Sequence, residues 1–353
     1  MRKSFQMGAA FIGVIVGAGF ASGQEILQFF TSFGAMGIAG SVVAAVLFAF
    51  IGMNLTQLGS RLQTTSHQKV IYHICGRYLG VVIDFIITFF LFGVTVVMFS
   101  GAGAIFEQQF GVPSFIGSIL MAAVTIISLT FGIQRVMSLI SAFTPFLLLI
   151  VIGITVYSVF NFDFASADLQ AASDSRGASH WLLGAALYVS YNIAAGAAML
   201  TVMGGTVKDE KVAAWGGIIG GLGLGLLILL INVSMLTQLK EIASVPMPML
   251  LLAGSMNPVV SIIFSIILLG MIYNTAVGML YAFTARIVPR DTMKFKGAVV
   301  VFGAAAFGAS FVGFITLVGT VYPVMGYLGF TLIGAIVLAW VKKKRASVVL
   351  EES

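Results

Sequence analysis

The chain has 353 residues, of which 59% are hydrophobic and only 8% charged, with a mean hydropathy of +1.09. A soluble domain carries about 25% charged residues, so this composition excludes a water-soluble protein and describes a polytopic membrane protein. The net charge of +6 does not argue for nucleic acid, because the basic residues sit between hydrophobic blocks, where they set topology.

A spanning helix needs about 20 apolar residues, and ten such segments follow in order: 5–32, 35–58, 79–106, 114–131, 136–160, 180–204, 212–238, 258–287, 295–312 and 313–341. The start of the chain has features of a signal peptide: Arg2 and Lys3, an apolar run over 7–18, and small residues at Ala21-Ser22-Gly23. The apolar sequence continues past that point, and the topology requires the segment to be retained. With the N-terminus inside, sixteen of the eighteen Lys and Arg residues fall on the cytoplasmic side, leaving Arg176 and Lys240 outside. The basic-residue rule therefore predicts both termini cytoplasmic, for one transmembrane domain over 1–353 whose expected location is a bacterial-type plasma membrane.

The first segment holds Gly17-Ala18-Gly19-Phe20-Ala21-Ser22-Gly23-Gln24-Glu25 at its centre. Weak helix formers and a carboxylate at mid-depth predict a break, since non-helical backbone in a membrane persists only inside protein or along a cavity. An ionisable residue there is a functional candidate. In the third helix, Asp84 lies about 7 Å in from the cytoplasmic end at 1.5 Å per residue, and is expected to pair near that surface with Arg77, Arg61, Arg2 or Lys3, as an inner gate. In the sixth segment, Leu187 to Ala198 predicts a second break. Phe20-Ala21-Ser22-Gly23 aligns with Ile193-Ala194-Ala195-Gly196 at an offset of 173 residues, close to half the chain. Five helices separate the two, so the halves, about 1–175 and 176–353, would be inverted repeats with solute bound at the breaks. The glycines from Gly216 to Gly225 in the seventh segment are spaced for close helix packing. Pro323 in the tenth, beside Thr320 and Tyr322, predicts a kink.

These features carry a family likeness. Ten helices in a five-plus-five inverted repeat resemble the LeuT-type fold of the amino acid–polyamine–organocation superfamily. Gly13-Val14-Ile15-Val16-Gly17-Ala18-Gly19 resembles the Gly-x-x-Val-Gly-x-Gly run of sodium-coupled symporters, and GAGFASGQEILQFF resembles bacterial YkvI-type membrane proteins. The resemblance implies a sodium ion between the first and eighth helices, held by carbonyls of Gly13, Val16 and Met271 and side-chain oxygens of Asn274 and Thr275. The other reading of Asn274 and Thr275 is hydrogen bonding to a neighbouring helix. Phe20 stands where those symporters carry an asparagine for a second sodium ion, and Gly23 where they carry a gate arginine. The 138–160 stretch holds no lysine or arginine of the kind that replaces sodium in proton-coupled relatives.

Glu25 has two readings. It is a coupling group or a partner for a solute ammonium, or it completes a capping box Ser22-Gly23-Gln24-Glu25. The solute site is expected at Gly17, Ala18, Gly19, Phe20, Ala21, Ser22, Gly23 and Glu25, facing Tyr188, Tyr191 and Asn192, with the amides after Gly19 suited to a solute carboxylate. Thr88, Thr95 and Ser100 are weaker candidates. The expected function is secondary active transport of an amino acid or related zwitterion or amine, coupled to sodium. Proton coupling, a ligand-sensing receptor on the same scaffold and a passive channel are the alternatives. No enzyme, resident cofactor or nucleic-acid partner is expected; the partners are the solute and the bilayer.

Overall fold

The computed structural model describes residues 2–63, 67–131, 143–161, 175–289 and 292–351, whose regular elements are all helices, with no strand among them. The first apolar segment forms three pieces: α1 (Arg2–Ile15), α2 (Ala18–Ser22) and α3 (Gln24–Phe29). A 3-10 turn leads into α4 (Ala35–Leu62), α5 (His67–Phe110), α6 (Ser114–Phe131) and α7 (Phe143–Asn161). Then come α8 (Trp181–Gly205), α9 (Glu210–Leu236), the short α10 (Leu239–Ile242), α11 (Pro248–Met256), α12 (Pro258–Ile287), α13 (Met293–Ser310) and α14 (Phe314–Glu351).

Six described helices are long and apolar enough to cross a membrane by themselves, and α8 makes a seventh if its two arms count as one span. Two shorter apolar helices lie at Ser114–Thr130 and Phe146–Asn161. Phe85, Leu149, Phe160 and Val301 project outward, exposed, as side chains solvated by lipid do.

Local chemistry sets the ends. Asp209 accepts from the amide of Lys211 at 2.8 Å and starts α9. Asn257 accepts from Val259 N–H at 2.8 Å, with Pro258 at the first helical position, where a missing N–H costs nothing. Thr292 caps α13 through Phe295 N–H at 3.1 Å.

Two groups of helices emerge from the packing. α4 packs on both α8 and α9, with α1 against α9, and α5, α6, α12 and α13 form the second group. α14 lies against both α8 and α5, and α7 touches α9, α11 and α12. The glycines of α9 explain how tightly the first group closes. A Cβ on Gly217 would collide with the backbone of Gly52 and Met53, and one on Gly221 with the backbone of Ala49. Small residues bring helix backbones together in a membrane, where hydrophobic attraction between helices is absent.

Three expectations are corrected here. The gap left between the 35–58 and 79–106 segments is not a long linker, because α4 runs to Leu62 and α5 already runs from His67. The second break is not an unwound segment: α8 stays helical from Trp181 to Gly205, and its axis bends by 53° between the arms Trp181–Ala197 and Met199–Gly205. Alanines dominate that stretch, and alanine is the strongest helix former, so the ladder survives where three glycines in the first helix break it. Asp84 pairs with Arg286 across α5 and α12, with 2.6 Å between Oδ1 and Nη1. Both helices belong to the second group, so this pair does not bridge the two groups as a gate. The start of the 136–160 segment, including Arg135 beside it, lies outside the described residues.

Candidate functional site

The break in the first helix is real and double. Val16 N–H makes the last bond of the α1 ladder, to the Ile12 carbonyl at 2.8 Å, and the ladder resumes with Ala21 N–H to Gly17 at 3.0 Å. The carbonyls from Gly13 to Val16 thus lie where ladder bonding lapses. The second interruption is Gly23, whose φ of 83° is left-handed backbone that favours glycine. The pieces pack differently. α1 lies on α9 and α8 of the first group, whereas α2 lies on α5 and α12 of the second.

Gly23, not Ser22, precedes α3, and the expected capping box is absent. Ser22 Oγ instead donates to the Gly19 carbonyl at 2.7 Å and accepts from Gln24 N–H at 3.2 Å. Glu25 turns away from the Ser22 amide, and its carboxylate accepts a short hydrogen bond from the Tyr191 hydroxyl. The physical reason is the left-handed Gly23, which swings the first turn of α3 so that Glu25 faces α2 and α8.

Glu25 is 5% exposed and lies among three tyrosines, Tyr188, Tyr191 and Tyr322. The Tyr191 and Tyr322 rings stack with centroids 4.8 Å apart, and Tyr188 meets Tyr191 edge-on at 5.4 Å. Phe29 packs on both Tyr188 and Tyr191. The Tyr188 hydroxyl is fully buried without a hydrogen-bond partner, and so are both amide atoms of Gln24. Asn192 donates its side-chain amide back to the Tyr188 carbonyl at 3.0 Å, which fixes it along α8. Phe20, Ala21 and Ser22 are buried, and Gly17 is half-buried.

Of the expected ion ligands, Gly13 is exposed, and a Cβ added there meets nothing within 4 Å. Val16 and Met271 are buried, while Asn274 and Thr275 are half-buried on α12. Among the described residues the Asn274 and Thr275 side chains have no hydrogen-bond partner, so the neighbouring-helix reading finds no support. Of the weaker candidates, Thr88 and Thr95 bond back to the carbonyls of Asp84 and Leu91. Ser100 lines a separate cavity of about 330 Å³ with Glu107, Ser118, Phe311 and Thr316, which shares no lining residue with the Glu25 cluster.

Tyr322 was not singled out as a site residue, because Pro323 beside it attracts a purely structural reading. Gln24 and Gln28 were also passed over. Their signal was available: two amides one turn apart in an apolar helix. Gln28 donates to the Ile315 carbonyl at 3.1 Å, tying α3 to α14.

The membrane protein YkvI of Bacillus subtilis (strain 168) is 30% identical to this chain over 349 residues, covering 97% of each. The chain belongs to the YkvI family. No family model matches it. Among solved structures, this YkvI-family chain is similar to the inward-facing conformation of Mhp1, with a TM-score of 0.62 at 14% identity over 92% of this chain and 73% of that one. MhsT in complex with L-phenylalanine gives 0.58 at 16% identity, over 93% and 88%. A mutant of the Eremococcus coleocola manganese transporter gives 0.59 at 14%, over 94% and 78%. At these identities the likeness is one of fold, and it extends over nearly the whole chain.

Proposed function

We propose that this YkvI-family protein is a secondary active transporter of a small organic solute, an amino acid or related zwitterion or amine, working by alternating access with sodium as the coupling ion. The observation that carries this reading is the division of the first helix between the two helix groups. If the groups move relative to each other, the break at Val16 and Gly17 is strained, relaxed or reshaped in every cycle. A solute bound against α2 and α3 then feels that motion directly.

Ten spans in a five-plus-five arrangement fit the proposal, with α1–α3 as span one, α8 as span six, and both termini cytoplasmic. Sodium is favoured over a proton by the donor set. Asn274 and Thr275 offer unpartnered neutral oxygens, and the lapsed ladder from Gly13 to Val16 offers carbonyls, the hard neutral ligands a small cation takes. Such a site needs no resident charge.

Purified protein reconstituted in liposomes tests the function. Accumulation of a solute above its external concentration under an inward sodium gradient, lost when potassium replaces sodium, is the expected result. Saturable binding without accumulation points to a receptor. Flux that no gradient drives uphill points to a channel, and accumulation driven by a proton gradient alone would overturn the sodium assignment.

A further inference from the structure

The amides after Gly19 are where the sequence places a solute carboxylate, but the protein's own acid stands there. A Cβ built on Gly19 overlaps Glu25 Oε1, and its next neighbours are Glu25 Cδ at 2.9 Å and Tyr322 Oη at 3.3 Å. The carboxylate therefore sits against Gly19, in space that a Cβ would fill. Ser22, the nearest hydroxyl on α2, is already committed on both sides, to Gly19 and to Gln24. The Ser22 hydroxyl therefore offers a solute carboxylate no vacant donor.

Charge points the same way. The two ion pairs among the described residues, Arg61–Glu210 and Arg286–Asp84, both lie elsewhere. Glu25 is held by a tyrosine hydroxyl and faces two more, with no described basic side chain hydrogen-bonded to it. An isolated charge out of water is costly, and a second carboxylate beside it adds repulsion that low polarity strengthens. A solute ammonium does the reverse, because it supplies the missing positive charge and several N–H donors.

The surroundings suit such a group. Tyr188, Tyr191 and Tyr322 lie around the carboxylate and Phe29 packs on two of these rings, and aromatic faces attract cations. The buried Tyr188 hydroxyl has no partner and is free to accept an N–H. The Tyr191 hydroxyl holds the donor position that an ammonium would share or take over.

We propose that Glu25 takes the place of the solute's carboxylate, so that the protein recognises organic amines or quaternary ammonium compounds by their cationic nitrogen, held at Glu25 among Tyr188, Tyr191 and Tyr322. This rests on the reading of the chain as a solute transporter and narrows the solute to one class, cations without a carboxylate.

Matched pairs provide the test: L-leucine with isopentylamine, L-phenylalanine with phenethylamine, and glycine betaine with choline. Each is titrated into the purified full-length protein in sodium buffer, with apparent melting temperature and calorimetry as readouts. At least one amine or quaternary ammonium compound is expected to bind about tenfold or more tightly than its carboxylated partner. Glu25→Gln should weaken that binding about 30-fold or more, as loss of one member of a buried charge pair does. Asp84→Asn, which removes a carboxylate far from the site, should leave it unchanged. The comparison within wild-type protein stands even if the Glu25 variant fails to fold. Carboxylated members binding as well as their amines, or neither member of any pair binding, overturns the proposal. Amines that bind but never accumulate in proteoliposomes would sink the transporter reading and leave this one standing. Uphill uptake of amino acids alone would do the opposite.

Discussion

A methyl group at Gly19 separates a site built around Glu25 from a helix break that merely contains an acid. In Gly19→Ala the new Cβ overlaps Glu25 Oε1, the end of a flexible side chain, so the carboxylate has to move or the helix has to shift. Overpacking of this kind costs about 1–3 kcal/mol. If the carboxylate swings out, its hydrogen bond from Tyr191 goes too, and hydrogen bonds to charged groups contribute about 1.5–3 kcal/mol. The two costs are alternatives, so the net loss is about 1–3 kcal/mol.

Gly13→Ala is the matched control in the same helix. Its Cβ meets nothing within 4 Å, and replacing glycine by alanine in a helix gains about 0.8–1 kcal/mol. The assay is thermal unfolding of each variant in one detergent, alongside uptake in liposomes. Gly19→Ala should lower the apparent melting temperature and abolish uptake, while Gly13→Ala should raise it. Equal stability and full uptake in Gly19→Ala would mean that the contact between Gly19 and Glu25 is absent in the working protein, and the site as described would fall.

Three further outcomes are expected. Gly221→Val places a side chain against the Ala49 backbone, a clash that neither helix can relieve, and should leave little monodisperse protein on size-exclusion chromatography. A double-mutant cycle on Asp84→Asn and Arg286→Gln should return a coupling of about 1 kcal/mol or less, since both side chains are partly exposed, at 38% and 21%; a value above about 3 kcal/mol would contradict that placement. Asn274→Ala and Thr275→Ala should each raise the sodium concentration for half-maximal uptake about tenfold while leaving solute binding at saturating sodium unchanged, and a sodium curve that does not move removes both from the ion site.

The broken first helix was legible because its signal is local. Gly17, Gly19 and Gly23 withdraw helix propensity over two turns, and no neighbouring element has to be known. The role of Glu25 was not, because a capping box is also a local pattern and Ser22-Gly23-Gln24-Glu25 satisfies it. Only the φ of 83° at Gly23 decides which way the carboxylate turns, and a glycine accepts either sign. Tyr188 and Tyr191 were visible as aromatics on the sixth segment. That Tyr322 joins them depends on α14 packing along α8, a contact between residues more than 130 positions apart. The partner of Asp84 escaped for the same reason: Arg286 is 202 residues away, while the basic residues nearest in sequence drew the pairing.

The placement of charge fits a molecule whose two helix groups part and rejoin. Arg61–Glu210 ties α4 to α9 within the first group, and Arg286–Asp84 ties α12 to α5 within the second. The contacts that reach α14, or tie α5 to Met247 ahead of α11, are neutral instead. Gln28 donates to the Ile315 carbonyl, Ser190 donates to the Gly326 carbonyl at 2.7 Å, and Gln108 both donates to and accepts from the Met247 backbone at 2.9 Å. A neutral hydrogen bond contributes about 1 kcal/mol net, because water or another polar group replaces it when it opens. An ion pair at such a seam would be stranded each time the seam opened out of water's reach, and stranding one buried charge costs several kcal/mol. Glu25 is the exception, a charge-bearing group on the helix that the proposed cycle would move, and its carboxylate would have to be satisfied in every state. A cationic solute bound there would meet that requirement during transport and leave the tyrosine hydroxyls to meet it when the site is empty.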